Sequence, residues 1–121
     1  MKPTLVPGLR NHQRHVVTES LTTAHAGPGV LATPSMIGLV EWCCLEATAD
    51  HVDEGEATVG IHVCVSHESA VAEGESIDVS CELVEVDGRK MVFEIAVDGP
   101  RGPVSRGTHG RAVVRATGAA S

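Results

Sequence analysis

The stretch TPSMIGLVEWCCLEATA, residues 33–49, decides the fold of this chain. Apolar residues recur in it at helical spacing, and Pro34 suits the first turn of a helix. We therefore predict one helix that begins at Thr33, as its N-cap residue, and ends near Ala49. Further apolar residues flank the main stripe, so we expect this helix to be enclosed on most of its sides.

The sequence on either side of this helix favours β-strands. One strand over residues 13–20 precedes the helix, and four strands follow it, the last running from about Pro103 to Ala116. Asp87-Gly88 and the segment 99–102 have the composition of tight turns. Three of the strands alternate apolar residues at period two: Val59, Ile61, Val63 and Val65; Ile77, Val79, Cys81 and Leu83; and Met91, Phe93, Ile95 and Val97.

This order of elements predicts an α+β domain with an antiparallel sheet. A sheet of about five strands wrapped around one long central helix is the hot-dog fold. With 121 residues the chain has the size of a single domain, 1–121, in which we expect residues 1–12 to be a loose N-terminus. One helix for so many strands favours dimerisation, which protects sheet edges and the remaining apolar surface.

Composition and charge exclude several classes of protein. The formal net charge of -7 argues against binding to duplex nucleic acid. No segment has the apolar length of a signal peptide or of a membrane-spanning helix, so we expect no membrane partner. Four cysteines at these positions make a poor disulfide framework, and we therefore expect a cytoplasmic protein with reduced thiols.

Glu41 is the most informative single residue, because it interrupts the otherwise apolar segment 36–45. Burial of an unpaired carboxylate is unfavourable by several kcal/mol, or it forces the group to bind a proton. The side chain therefore either reaches solvent, makes a structural hydrogen bond, or serves as an acid, base or nucleophile.

Two further residues flank the same region. His67 follows the alternating strand 59–65, and its imidazole is either structurally satisfied or available as an acid or base near neutral pH. Thr33 is either a simple helix cap or part of a site at the helix start. At such a place, free backbone N–H groups and the helix dipole can polarise a thioester carbonyl.

The strand before His67 carries other unusual residues. Gly60 interrupts a β-branched series, which is typical of a bulge or of a close approach by a ligand or another backbone. His62 and Cys64 share one face of the strand. No second ligand pair at a known spacing accompanies them, so we predict no metal site.

Four motifs occur in order along the chain. They are Leu31-Ala32-Thr33; MIGLVEW, residues 36–42; Val59-Gly60 with CVSH, residues 64–67; and GTHGRAV, residues 107–113. Together they resemble the fluoroacetyl-CoA thioesterase and its hot-dog relatives, over about residues 28–114.

The resemblance implies hydrolysis of a short-chain acyl-CoA, with coenzyme A as part of the substrate and no separate cofactor. It places the family's catalytic threonine, glutamate and histidine at Thr33, Glu41 and His67. It also places a glycine near the thioester at Gly60 and an arginine near the CoA at Arg111. In such enzymes the glutamate attacks the thioester or activates water, the histidine helps to polarise the carbonyl, and the threonine hydrogen-bonds at the site.

Residues 21–32 depart from the family pattern. This segment is rich in glycine around Pro28 and has no helical or strand periodicity, so we interpret it as a lid-like loop. The related enzyme carries phenylalanines in its lid, whereas this segment contains no aromatic residue. The resemblance therefore extends to the reaction class and leaves the acyl group open.

The spacing of the site residues has a geometric consequence. Thr33 and Glu41 are eight positions apart. At about 1.5 Å per residue this places them roughly 12 Å apart along one helix. Either a thioester bridges this gap, or a partner subunit supplies one of the two side chains. We expect the second arrangement, with active sites at the subunit interface of a homodimer. The alternatives are a non-catalytic acyl-CoA binding or sensing module, and a hot-dog hydratase or dehydratase acting on enoyl or hydroxyacyl thioesters.

Overall fold

The computed structural model describes residues 1–23 and 29–116. Its main elements are β1 (Arg10–Val16), α1 (Thr33–Thr48), β2 (Glu56–Val65), β3 (Ser76–Asp87), β4 (Lys90–Gly99) and β5 (Gly102–Arg115), with short 3-10 turns at Glu19–Leu21 and Ala49–His51. The strands form one antiparallel sheet in the order β1-β3-β4-β5-β2. α1 packs against this sheet, mainly on β3 and β1, so the predicted hot-dog architecture is confirmed.

The core lies between α1 and the inner face of β3 and β4. The alternating apolar residues predicted for these two strands are all buried, from Ile77 to Leu83 and from Met91 to Val97. Met36 and Val40 on α1 are equally buried against them. Period-two alternation on the strands and a helical stripe on α1 thus bury one face of each element.

The other face of α1 is open in the single chain. An exposed stripe at intervals of four residues runs along it: Pro34, Gly38, Trp42 and Glu46. Trp42 is 51% exposed. The expectation that the helix is enclosed on most sides is therefore wrong for one copy of the chain, because the five strands cover only one side of it.

The start of α1 also differs from the prediction. Ala32 occupies the N-cap position, and no side-chain hydrogen bond caps the helix. Thr33 is the first helical residue instead. Its hydroxyl is consequently free to bond elsewhere.

The N-terminus is not loose over residues 1–12. β1 begins at Arg10, and Leu5 is only 3% exposed within the core. The Gly8 N–H donates to the Leu83 carbonyl at 2.8 Å. β3 is longer than β1, so the chain before β1 continues along its free edge.

A β-bulge in β2 changes which side chains face inward. The ladder with β5 shifts between Gly60 and His62. Paired residues point to the same face of a sheet, so Val59, opposite Ala112, faces outward, whereas Val63, opposite the buried His109, faces inward. The predicted single apolar face from Val59 to Val65 is therefore wrong, because one extra residue inverts the alternation.

The lid-like loop predicted over residues 21–32 falls partly on residues 24–28, which lie outside the described residues. Its two flanks are close together, since Thr22 forms a bridge with Leu31 and the Thr23 N–H donates to the Val30 carbonyl at 2.9 Å. Val30 also bridges to Ala72. In the described ranges, the helices are too short or too polar to cross a membrane.

Gly107 provides a test of the β2–β5 pairing. A Cβ atom at this position would overlap the Cys64 carbonyl oxygen and lie 2.7 Å from the Val65 Cα, and φ is +154°. We expect Gly107→Ala to lower the free energy of unfolding by about 2–3 kcal/mol, measured by urea denaturation at fixed protein concentration.

Ser105→Ala is the matched control on the same strand. Its buried hydroxyl has no hydrogen-bond partner within residues 1–23 and 29–116. Its removal should leave the free energy of unfolding unchanged or slightly increase it. Equal stability of Gly107→Ala and wild type would contradict the close approach of β2 and β5.

Candidate active site

Thr33 and His67 meet at the start of α1. The Thr33 Oγ1 lies 2.7 Å from the His67 Nδ1. The segment after β2 stays paired with β5, because the Ser66 N–H donates to the Arg106 carbonyl at 2.9 Å and the Glu68 N–H donates to the Val104 carbonyl at 2.7 Å. This pairing holds the imidazole against the first turn of the helix.

A small cavity adjoins the same imidazole. It has a volume of about 220 Å³ and is lined by Val30, Leu31 and residues 67–70. A larger open groove of about 750 Å³ lies elsewhere and includes Arg10, Ser80 and Arg106. That groove contains none of the predicted site residues, so the smaller cavity is the relevant one here.

Glu41 approaches β2 at Gly60. A Cβ atom at Gly60 would lie 2.6 Å from the Glu41 Oε2 and 3.2 Å from the His109 Cε1. Only glycine leaves room for the carboxylate at this place. In the single chain, 42% of the Glu41 side chain is exposed, so its surroundings are wetter than an apolar helical segment suggests.

Arg111 lies beneath Glu41 and points inward. It is 4% exposed. Its Nε donates to the Thr58 Oγ1 at 3.0 Å, and its Nη2 donates to the Thr58 carbonyl at 2.8 Å. Its Nη1 is 3.9 Å from the Glu41 Oε2. Burial lowers the pKa of Arg111, and the nearby carboxylate acts in the opposite direction.

His109 belongs to this cluster, and the sequence analysis did not select it. The residue is fully buried. Its Nδ1 lies 2.8 Å from the His62 carbonyl oxygen, and its Nε2 lies 3.2 Å from the Arg111 Nη1. Burial lowers the pKa of His109, and the neighbouring guanidinium lowers it further. Its position two residues before Arg111, on the same face of β5, was the signal in the sequence.

The structure therefore brings the predicted residues together in two groups. Thr33 and His67 form one pair, and Glu41 contacts Gly60 and Arg111 in the other group. Among the described residues, no hydrogen bond or ion pair joins the two groups. Their separation follows from the two helical turns between Thr33 and Glu41, as expected from the spacing.

Comparisons with known proteins identify the family of this chain. Residues 12–117 match the family model described as fluoroacetyl-CoA-specific thioesterase. The fluoroacetyl-CoA thioesterase of Streptantibioticus cattleyicolor is 37% identical over 101 residues, which is 84% of this chain and 72% of that protein. The chain belongs to the fluoroacetyl-CoA-specific thioesterase family.

Solved structures extend the comparison to three dimensions. A phenylalanine-to-alanine variant of the fluoroacetyl-CoA-specific thioesterase, in complex with fluoroacetate and CoA, is 32% identical. The match covers 92% of this chain and 96% of that one, with a TM-score of 0.87. A thioesterase superfamily member from Thermus thermophilus shares the fold at 20% identity, with 96% and 88% coverage and a TM-score of 0.85. As a member of the fluoroacetyl-CoA-specific thioesterase family, the chain is a thioester hydrolase.

Gly60→Ala tests the contact between Glu41 and β2 in this thioesterase. The added methyl group has to displace the Glu41 carboxylate, which lies 2.6 Å from the Cβ position. We expect the rate of thioester hydrolysis to fall roughly 10- to 100-fold, measured by release of free CoA thiol.

Val114→Ala is the control for this variant. Val114 follows the buried Val113 on β5 and is partly exposed on the outer face, so its truncation should leave the rate unchanged. A Gly60→Ala protein with the wild-type melting temperature and the wild-type rate would show that the position of Glu41 is irrelevant to turnover.

Proposed function

We propose that this chain hydrolyses a short-chain acyl-CoA thioester and that Thr33, Glu41 and His67 form its catalytic centre. The observation that carries the proposal is the bond between the Thr33 hydroxyl and the His67 imidazole, 2.7 Å long, at the N-terminus of α1. This is where a helix presents free donors, and the second group of residues holds a carboxylate along the same helix.

The start of α1 is suited to stabilise charge on a thioester oxygen. The first four N–H positions of a helix, here residues 32–35, have no partner within it. The Ala32 N–H donates to the Leu21 carbonyl, and Pro34 has no N–H. The N–H groups of Thr33 and Ser35 remain, together with the positive end of the helix dipole. A thioester carbonyl placed here gains hydrogen bonds as its oxygen becomes negative.

Glu41 supplies the reacting carboxylate in this proposal. As a general base, it takes a proton from water while the water oxygen attacks the carbonyl carbon, the C–S bond breaks and the CoA sulfur is protonated. As a nucleophile, it forms a mixed anhydride and releases CoA, and water then cleaves the anhydride. In both cases His67, oriented by Thr33, helps to polarise the thioester carbonyl and to transfer protons.

Replacement of Glu41 tests its role. We expect both Glu41→Ala and Glu41→Gln to lower kcat for acyl-CoA hydrolysis by at least about a thousandfold, because either variant removes the base and the nucleophile. Glu54→Gln is the control, since Glu54 is exposed in the turn before β2 and away from α1. Equal rates for wild type and the two Glu41 variants across an acyl-CoA panel would remove Glu41 from the mechanism.

The two chemical roles of Glu41 differ in whether a mixed anhydride forms. Single-turnover hydrolysis in H₂¹⁸O, followed by mass spectrometry, follows the one oxygen that the acid product gains. If water cleaves an anhydride at the glutamyl carbon, this oxygen comes from Glu41 and is unlabelled. A general base, or water attack at the acyl carbon of an anhydride, gives a labelled oxygen, and formation of a Glu41 hydroxamate with hydroxylamine distinguishes these two cases.

In our proposal, two copies of the chain complete each active site. Glu41 and Thr33 lie two turns apart on one helix, and His67 is hydrogen-bonded to Thr33. In this proposal a second copy brings the carboxylate and the Thr33–His67 pair together. The surface between them is open and apolar: Trp42 is 51% exposed, and Val63 is 40% exposed although it faces inward. β2 is also an edge strand, which a symmetric partner can cover.

Mixed dimers test this arrangement. Inactive Thr33→Ala and Glu41→Ala proteins are unfolded together, refolded and assayed. Random pairing makes about half of the dimers mixed, each with one intact site of two, so about a quarter of wild-type activity should return. Native mass spectrometry verifies that mixed dimers form. If they form and remain as inactive as their parents, each site belongs to one subunit.

The acyl group remains to be assigned within this proposal. The lid-like segment 21–32 contains no phenylalanine, so a preference for fluorinated substrates is not carried over from the relatives. The values of kcat/KM for acetyl-, fluoroacetyl-, propionyl- and butyryl-CoA rank the candidates.

We assign the enzyme to a reducing cytoplasm, because all four cysteines are free thiols.

A further inference from the structure

The bulge in β2 leaves one carbonyl available to a side chain. The β2–β5 ladder shifts between Gly60 and His62, and the His62 carbonyl accepts a hydrogen bond from the His109 Nδ1 at 2.8 Å. A carbonyl oxygen can only accept, so the proton of the imidazole lies on Nδ1. The other ring nitrogen, Nε2, is then an acceptor.

That acceptor faces the guanidinium of Arg111. The Arg111 Nη1 donates to the His109 Nε2 at 3.2 Å. A second proton on the ring would point at the guanidinium cation, so the imidazole is neutral. Burial of His109 acts in the same direction by lowering its pKa. A fully buried, neutral imidazole thus accepts a hydrogen bond from one of the five N–H donors of the guanidinium.

A chain of hydroxyl groups fixes the rest of the guanidinium. The Thr48 Oγ1 donates to the Leu45 carbonyl at 2.9 Å, so it accepts from the Thr58 hydroxyl, 3.2 Å away. The Thr58 Oγ1 in turn accepts from the Arg111 Nε at 3.0 Å. Every hydroxyl in this series of hydrogen bonds therefore has a defined donor and acceptor. The series fixes the orientation of the guanidinium.

Glu41 depends on this fork. In the part of the chain that the structure describes, its only ionic partner is Arg111, with 3.9 Å between the Nη1 and Oε2 atoms, and no hydrogen bond fixes the carboxylate. The other titratable groups around the cluster are the thiols of Cys44 on α1 and Cys81 on β3. Neither thiol can replace the cation.

We propose that His109 is a positioning residue for the thioesterase reaction, which holds the Arg111 guanidinium so that it fixes the Glu41 carboxylate over Gly60. The inference rests on the proposed role of Glu41. His109 is fully buried in the chain and hydrogen-bonds to Arg111, so we expect its effect on turnover to act through Arg111.

Two conservative variants separate this role from a structural one. His109→Asn retains a donor near the Nδ1 position for the His62 carbonyl, but it loses the acceptor for Arg111. His109→Gln places an amide oxygen near the Nε2 position and so retains that acceptor. Val97→Ala is the control: it removes buried core volume from β4, at the opposite end of that strand from Met91, which pairs with Arg111.

We expect His109→Asn to lower kcat for acyl-CoA hydrolysis roughly 10- to 100-fold with KM nearly unchanged, and His109→Gln to retain most of the activity. Val97→Ala should lower the melting temperature and leave kcat unchanged. A crystal structure of each variant gives the distance between Arg111 Nη1 and Glu41 Oε2. This distance should change in His109→Asn and be kept in His109→Gln.

Several results would overturn the inference. His109→Asn with wild-type kcat and an unmoved guanidinium would do so, and so would Asn retaining more activity than Gln. Loss of folding in both variants would make His109 a folding residue only. If the guanidinium moves as expected while Glu41→Ala remains fully active, the positioning holds and the proposed role of Glu41 fails.

Discussion

One extra residue in β2, at the bulge between Gly60 and His62, is the constraint on which the candidate site depends. It places Gly60 opposite Arg111, where the lack of a side chain admits the Glu41 carboxylate. It also releases the His62 carbonyl to fix the tautomer of His109. After the bulge the alternation is inverted, so the rest of β2 carries its inner residues towards His67.

The cluster around Arg111 is unusual for the interior of a small domain. A buried guanidinium is unfavourable unless its donors are satisfied and an anion lies nearby. Thr58 and His109 accept hydrogen bonds from all three nitrogens of the guanidinium, and Glu41 supplies the anion at the surface end. This explains why the carboxylate, although partly exposed, has a defined place. The neutral state of His109 is part of the same balance, because a second buried cation would oppose the first.

The same domain leaves apolar surface uncovered on the side where the site residues emerge. Trp42 and Val63 are both exposed there, and β2 ends the sheet. In a hot-dog fold with one helix, the sheet encloses one side of α1, so the other side is available to a second copy. In our proposal, a second copy covers this surface and brings the separated groups of site residues together.

Much of this molecule follows from its sequence by itself. The helical stripe in residues 33–49 and the period-two alternation in β3 and β4 determined the architecture, because burying one face of each element requires those periods. The motif resemblance selected the candidate site residues Thr33, Glu41, Gly60, His67 and Arg111. The extent of β1, the inverted face of β2 and the open side of α1 were not foreseen.

Only the tertiary structure decided what these residues contact. The Thr33 hydroxyl bonds to His67, 34 positions away, instead of capping its own helix. Arg111 donates to Thr58, 53 positions away. His109 is held in the site by its hydrogen bond to the His62 carbonyl at the bulge. Local periodicity is encoded by neighbours in the chain, so the sequence determined the elements. Hydrogen-bond partners across a sheet depend on register, and a single bulged residue changes the register for every position beyond it.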